Sequence, residues 1–302
     1  MCGISGILGP GAANRTAIER MTRSIAHRGP DGEGIWSDPE AGIALGNRRL
    51  AIIDLSPAGA QPMQSADGRF VFSFNGEIYN HPELRAALDA EGRSPSGGWR
   101  GHSDTETFLE AIAAWGLGSA LERSAGMFAF ALWDRQERVL RLVRDRFGEK
   151  PLYYGWAGRN LLFASELKAL RQHPAFNAEI DRRALSAYVE RGFIPAPWSI
   201  YAGTFKLPPA AILTIESGAE PLLEPPEPDS WVGGVGLKHY WSYRDLLERG
   251  QSDLIHDEED ALAFACNAVN IDTTVIVNRA TAPFVKALGA KGFEVVQTPL
   301  SE

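Results

Sequence analysis

Gly126-Met127-Phe128-Ala129-Phe130-Ala131-Leu132-Trp133-Asp134 is the stretch on which the fold turns. From Met127 to Trp133 one set of alternate positions carries Met, Ala, Ala and Trp, and the other carries Phe, Phe and Leu. Side chains of a strand point alternately to its two faces, so both faces of this segment are apolar. A sheet with one solvated face would show polar residues on that side. The strand must therefore be covered on both sides, which predicts a sheet inside a layered fold. Residues 139–143, again apolar, read as the return strand of a hairpin around Asp134-Arg135.

Toward the C-terminus, residues 151–156 and 161–164 read as two more short strands. Residues 166–170 and 181–191 read as helices, the second closed by Gly192. Pro195, Pro197, Pro208 and Pro209 then punctuate short extended pieces such as 212–215. The Pro- and Glu-rich residues 220–228 read as a linker. The first domain is expected to span 1–218, with a linking region over 219–260.

Toward the N-terminus, Ser103-Asp104-Thr105-Glu106 has the form of a capping box, with Ser103 as N-cap and Glu106 three residues on. The helix it opens runs through Phe108, Leu109, Ile112 and Trp115 and stops near Gly116. Asp104 sits favourably against the helix dipole and could equally receive a ligand ammonium. Residues 70–74 read as a strand that ends in Asn75-Gly76-Glu77, followed by a helix from Pro82 to about residue 90. At a strand end Asn75 and Gly76 would offer side-chain and backbone N–H donors, the equipment of an oxyanion hole. Residues 50–55 read as another strand, preceded by Arg48-Arg49. An arginine there could grip a carboxylate with its planar fork or form a surface ion pair. Residues 14–25 read as a helix with Ile18, Met21 and Ile25 on one face. His27-Arg28-Gly29-Pro30-Asp31-Gly32 reads as an ordered loop.

The chain opens Met1-Cys2-Gly3-Ile4. Removal of Met1 would leave Cys2 with both a thiol and a free α-amine. An α-amine has a pKa of about 7.7–8.0, so it is partly unprotonated near neutrality and can take the proton of its own thiol.

Bulk composition bounds the function. A chain of 302 residues suggests about two domains, and 44% hydrophobic with 23% charged residues is ordinary for a globular protein. The net charge of −8 gives no basic footprint, so neither nucleic acid nor a membrane is expected as a partner. Two cysteines make no disulfide framework and fit a reducing cytoplasm. Neither a signal peptide nor an apolar run long enough for a membrane span is legible.

Taken together, Cys2-Gly3-Ile4, HRGPDG at 27–32, RRLAIIDLSPAGAQPM at 48–63, FNGEIYN at 74–80, HSDTE at 102–106, GMFAFALWD at 126–134 and RDRFGEKPLYY at 144–154 form a collinear set. Over about residues 1–245 the chain resembles the N-terminal glutaminase part of glutamine-hydrolysing asparagine synthetases, among the class II, N-terminal-nucleophile amidotransferases. The resemblance implies an α+β fold, a four-layer αββα sandwich of two antiparallel sheets. It implies attack by the Cys2 thiolate on the side-chain amide of L-glutamine, giving glutamate and ammonia through a thioester. Asn75 and the Gly76 backbone would hold the oxyanion, Arg49 the α-carboxylate and Asp104 the α-ammonium. Glu77 and the backbone near Ile52 and Ile53 would line the pocket. No metal or other cofactor is implied for this step. In the family, ammonia passes to a synthetase domain that uses ATP and Mg to amidate aspartate. Its Ser-Gly-Gly-x-Asp-Ser loop is not found here, since Ser96-Gly97-Gly98-Trp99 lacks the Asp and the second Ser. The partner is therefore expected to be a synthetase domain or another acceptor enzyme, feeding aspartate or a different carboxylate such as a sugar acid. A homodimer is compatible with these expectations, and so is an inactive fragment.

Residues 261–302 change in character. Strands at 274–278 and 293–297 around a helix at 283–291 form a partial βαβ unit, with Cys266 as a small core residue. This tail resembles the C-terminal end of dimethylarginine dimethylaminohydrolase-like amidino-group enzymes. The switch near residues 258–264 suggests a truncated synthetase carrying a foreign tail.

Overall fold

The computed structural model describes residues 2–242 and the strand residues 269–271, 274–277 and 294–297. Contacts divide the chain into Met1–Tyr240 and Trp241–Glu302. In chain order the first unit holds β1 (Gly3–Leu8), α1 (Arg15–Ser24), β2 (Gly32–Asp38), β3 (Ile43–Arg49), β4 (Met63–Gln64), β5 (Phe70–Ile78), α2 (His81–Ala90), α3 (Asp104–Trp115) and α4 (Leu117–Arg123). There follow β6 (Gly126–Asp134), β7 (Val139–Arg144), β8 (Tyr153–Ala157), β9 (Asn160–Ala164), α5 (Leu167–Leu170), α6 (Arg182–Arg191), β10 (Thr204–Lys206), β11 (Ala211–Glu216), β12 (Ser230–Val232) and β13 (Val235–His239).

The strands form two sheets, one in the order β10-β8-β9-β1-β3-β2 and the other β12-β13-β11-β7-β6-β5-β4. Every neighbouring pair in both is antiparallel. The two apolar faces of β6 meet different layers. Ala129, Ala131 and Trp133 pack with Ile4, Leu45 and Val71 between the sheets. Phe128, Phe130 and Leu132 pack with Leu84, Phe108 and Leu121 beneath α2, α3 and α4. Phe108 meets Phe130 edge-on at 5.8 Å, a ring arrangement that adds about 0.5–1.5 kcal/mol beyond burial. On the outer face of the other sheet, Ile7, Ala44 and Leu162 pack against Ile18, Met21 and Leu170 of α1 and α5. The result is the αββα layering expected for the α+β fold.

Local signals set several ends. The Asn14 side chain accepts from Ala17 N–H at 3.2 Å and starts α1. Gly192, at φ 76°, closes α6. Ser103 caps α3 by accepting from Glu106 N–H at 3.1 Å. The reciprocal half of the capping box is absent: the Glu106 carboxylate instead accepts from the backbone of Arg100 and Gly101 at 2.8 and 3.0 Å.

Three expectations are corrected. Residues 50–55 are a loop, with Ile52, Ile53 and Leu55 exposed. The Arg49 guanidinium takes the carbonyls of Asp54 and Ser56, and the Asp54 carboxylate takes the N–H groups of Ser56 and His102 at 2.8 and 2.9 Å. These side-chain partners hold the backbone in a turn, in place of a ladder. Asn75 and Gly76 lie inside β5, which continues to Ile78 against β6. The first unit also runs past residue 218, because β13 pairs with β11 and β12 with β13.

In the tail, Val269–Ile271 pairs antiparallel with Thr274–Val277, which pairs parallel with Glu294–Gln297. The expected helix at 283–291 and Cys266 lie outside the described residues. Among the described residues no helix is long and apolar enough to cross a membrane.

Candidate active site

The two sheets are bridged by polar groups at one end. Asn47 of β3 is fully buried, and its Nδ2 donates to Gln61 Oε1 and Ser73 Oγ, each at 3.2 Å, and to the Phe74 carbonyl at 3.3 Å. Gln61 Oε1 also accepts from Phe74 N–H at 2.6 Å. This bridge sets the middle of β5 opposite the start of β1. Above it lies a cleft lined by Cys2, Arg49, Ile52, Ile53, Asn75, Gly76, Glu77 and Asp104. All eight candidate residues read from the sequence are thus brought to one place.

Cys2 is half-buried and free. Its Sγ accepts from Leu50 N–H at 3.3 Å and lies 3.6 Å from the Leu50 carbonyl. Burial pushes the thiol pKa up, against the opposing pull of the Leu50 N–H and of Arg49. A thiol in this position needs a base to ionise near neutrality.

The pairing of β5 with β6 explains how its donors point. In an antiparallel ladder, alternate residues direct their N–H groups away from the partner strand. Phe74 N–H goes outward to Gln61, and Ile78 N–H goes outward to Asp104 Oδ2 at 2.9 Å. Gly76, midway between them, directs its N–H the same way, into the cleft it lines. Glycine is required there: a Cβ would stand 2.3 Å from the Met127 carbonyl oxygen and 2.6 Å from Phe128 Cβ. Asn75 is fully buried, and neither its Nδ2 nor its Oδ1 has a partner among the described residues. Buried polar atoms left unpaired cost about 1–3 kcal/mol each, so their persistence beside a cleft points to a ligand.

Asp104 is also buried. Its carboxylate accepts from Ile78 N–H and from Thr105 N–H at 2.7 Å. Burial raises its pKa, and these two donors pull it back. Of the adjacent arginines, Arg48 forms the ion pair, to Glu33 at 2.7 Å. Arg49 faces the cleft, its guanidinium lying over Gly59, where a Cβ would stand 2.3 Å from Nη2. The exposed His27 pairs with Glu166 at 2.9 Å.

Asp54 keeps the loop that carries this wall of the cleft. The Ser56 side chain, then His102 N–H, hold its carboxyl at about 2, below the ordinary 3.8. A depressed folded pKa means that the stabilisation is full above about 4 and is lost as pH falls through 2. An NMR titration of this carboxyl should give a midpoint far below 3.8. A midpoint at the ordinary value would mean that the carboxylate does not hold the loop.

Sequence reasoning missed Gln61 and Lys150, which also line the cleft. Lys150 is buried, and burial lowers its pKa against the pull of Glu149 and Asp145. Both lie in quoted motifs, but no spacing or local pattern marks either as facing the cleft. Among the described residues no group of three or more His, Cys, Asp or Glu side chains is placed to hold a metal ion.

Residues 1–224 match the family model described as a glutamine amidotransferase domain. A putative glutamine-hydrolysing asparagine synthetase 2 of Methanocaldococcus jannaschii is 37% identical over 228 residues, 68% of this chain and 42% of that protein. Asparagine synthetase 1 of Bacillus subtilis is 38% identical over 220 residues, 71% of this chain and 33% of that one. The chain thus spans well under half the length of these curated relatives. A solved structure of the allosteric regulatory enzyme of purine biosynthesis superposes with a TM-score of 0.52 at 17% identity, covering 98% of this chain and 65% of that one. That likeness shows the fold alone.

Proposed function

Because the chain belongs to the glutamine amidotransferase domain family, we propose that it hydrolyses the side-chain amide of L-glutamine through a thioester at Cys2. The reading is carried by one observation: the buried, unpartnered Asn75 side chain lines the same cleft as the Cys2 thiol and Gly76.

With Met1 removed, the α-amine of Cys2 takes the thiol proton. The thiolate adds to the amide carbon, and the amide oxygen becomes an oxyanion. Asn75 Nδ2 and Gly76 N–H receive that charge, which is where preorganised donors act most strongly. The C–N bond then breaks, and the ammonium of Cys2 returns its proton to the departing nitrogen. Water adds to the thioester, the C–S bond breaks, and glutamate leaves. Glutamine is a zwitterion, and Arg49 and Asp104 hold its α-carboxylate and α-ammonium. Ile52, Ile53 and Glu77 form the wall around it. This step needs no metal or cofactor.

The ammonia acceptor is proposed from the relatives. Their names point to an asparagine synthetase, in which an ATP- and Mg-dependent half would amidate aspartate. A free N-terminal thiol as nucleophile also supports placement in a reducing cytoplasm.

Glutamate release from glutamine by the purified chain tests the reading. Release is expected. None from protein whose Met1 is shown by mass spectrometry to be removed would overturn it. Arg49→Lys is expected to raise KM about tenfold, since a point charge replaces a two-bond fork worth roughly 1–3 kcal/mol. An unchanged KM would remove Arg49 from carboxylate binding.

A further inference from the structure

The segment that carries Cys2 is clamped from two sides. Ile4 N–H donates to Ser165 Oγ at 3.0 Å, and Ser165 N–H donates back to the Ile4 carbonyl at 2.9 Å. Next in the chain, Glu166 receives two cations and a histidine ring. His27 lies at 2.9 Å, Arg28 at 3.0 Å and Lys168 at 3.2 Å. Arg28 alone among them reaches the nucleophile's residue, its Nε donating to the Cys2 carbonyl at 3.0 Å. The Arg28 side chain is only 10% exposed, and its Nη2 is buried without a partner among the described residues. Gly3 packs closely against this segment, since a Cβ there would stand 2.9 Å from Ile25 Cδ1 and 3.2 Å from Arg28 Cδ. Burial pushes the Glu166 pKa up, but the hydrogen bonds from Arg28, His27 and Lys168 more than offset it, so the group stays anionic near neutrality.

We infer that Glu166, acting through Arg28, is the positioning residue that fixes the orientation of Cys2, and that His27 and Lys168 steady Glu166. This rests on the function proposed above. A cation as buried as Arg28 is strongly disfavoured in its place once its counter-charge is removed. The Cys2 carbonyl it grips is bonded to the same α-carbon that carries both the thiol and the amine. Moving that carbonyl moves nucleophile and base together relative to Asn75 and Gly76. Among the described residues Arg49 and Asp104, which hold the substrate ends, share no hydrogen bond or ion pair with Glu166, so binding and turnover should separate.

The test compares the full chain with Glu166→Ala and Glu166→Gln. The readouts are kcat and KM for glutamate release, the rate of Cys2 alkylation by iodoacetamide, and the melting temperature. Glu166→Ala is expected to lower kcat about 10- to 100-fold, the cost of a small misplacement of a reacting group. KM should stay within twofold, and alkylation should slow in step with kcat. Glu166→Gln, which still offers Arg28 an acceptor, should recover part of both rates. A kcat and an alkylation rate within twofold of wild type in Glu166→Ala overturn the inference, as does a kcat loss that KM and melting temperature share. If the wild type releases no glutamate, the proposed function fails, and the alkylation rates still decide the role of Glu166.

Discussion

Cys2→Ala is expected to remove glutamine hydrolysis, by at least about 10³-fold, while the fold and glutamine binding survive. Loss of a nucleophile that acts as a unit with its base leaves only what binding and the oxyanion donors contribute. The structural cost is small for stated reasons. Cys2 is half-buried, and among the described residues its thiol hydrogen-bonds to the Leu50 backbone alone, through weak sulfur hydrogen bonds. The β1 register does not depend on the thiol, because Ile4 is anchored separately to Ser165. A glutamate-release assay with calorimetric titration of glutamine checks both halves. Residual hydrolysis above a few per cent of wild type would place the nucleophile elsewhere. Loss of binding together with activity would mean that the thiol shapes the cleft.

Asn75→Ala should lower kcat about 10²- to 10³-fold, the usual cost of removing one oxyanion donor, without lowering the melting temperature. The second half is the unusual one, since replacing a fully buried polar residue generally destabilises. Here both polar atoms of the side chain are already unpaired in the free protein. Removing them relieves a desolvation penalty of about 1–3 kcal/mol per atom, which offsets the lost packing of a short side chain. A clear fall in melting temperature, with kcat falling alongside it, would show that Asn75 is held for structure.

How much of this was legible beforehand depends on the kind of signal. The two apolar faces of β6 announce the layering, because burial on both sides leaves a composition that nothing else explains. Ser103 announces α3, and Asn14 and Gly192 bound their helices, because caps act within one turn. The loop at 50–55 was hidden. Ala51, Ile52 and Ile53 have the composition of a strand, and the turn is imposed by the side chains of Arg49 and Asp54 and by the backbone of His102, the last 48 residues from Asp54. The length of β5 was hidden likewise, because Asn-Gly is a turn signal in isolation and only pairing with Phe128 and Ala129 keeps it extended. The eight cleft residues were legible through ordered motifs. Gln61 and Lys150 were not, since their place depends on how two sheets meet.

One consequence follows from the alternation along β5. Phe74, Gly76 and Ile78 turn their N–H groups to one rim while Asn75 turns its side chain between the sheets. A slip of β5 by a single residue against β6 would exchange all of these at once, retracting the donors and sending Asn75 toward the helices. The register of β6 is also tied down far from the cleft, where Arg69 grips Asp134 at 2.6 Å at the other end of the same two strands. The alignment of the donors is therefore a property of the whole ribbon, and an ion pair at its distant end guards chemistry that it never touches.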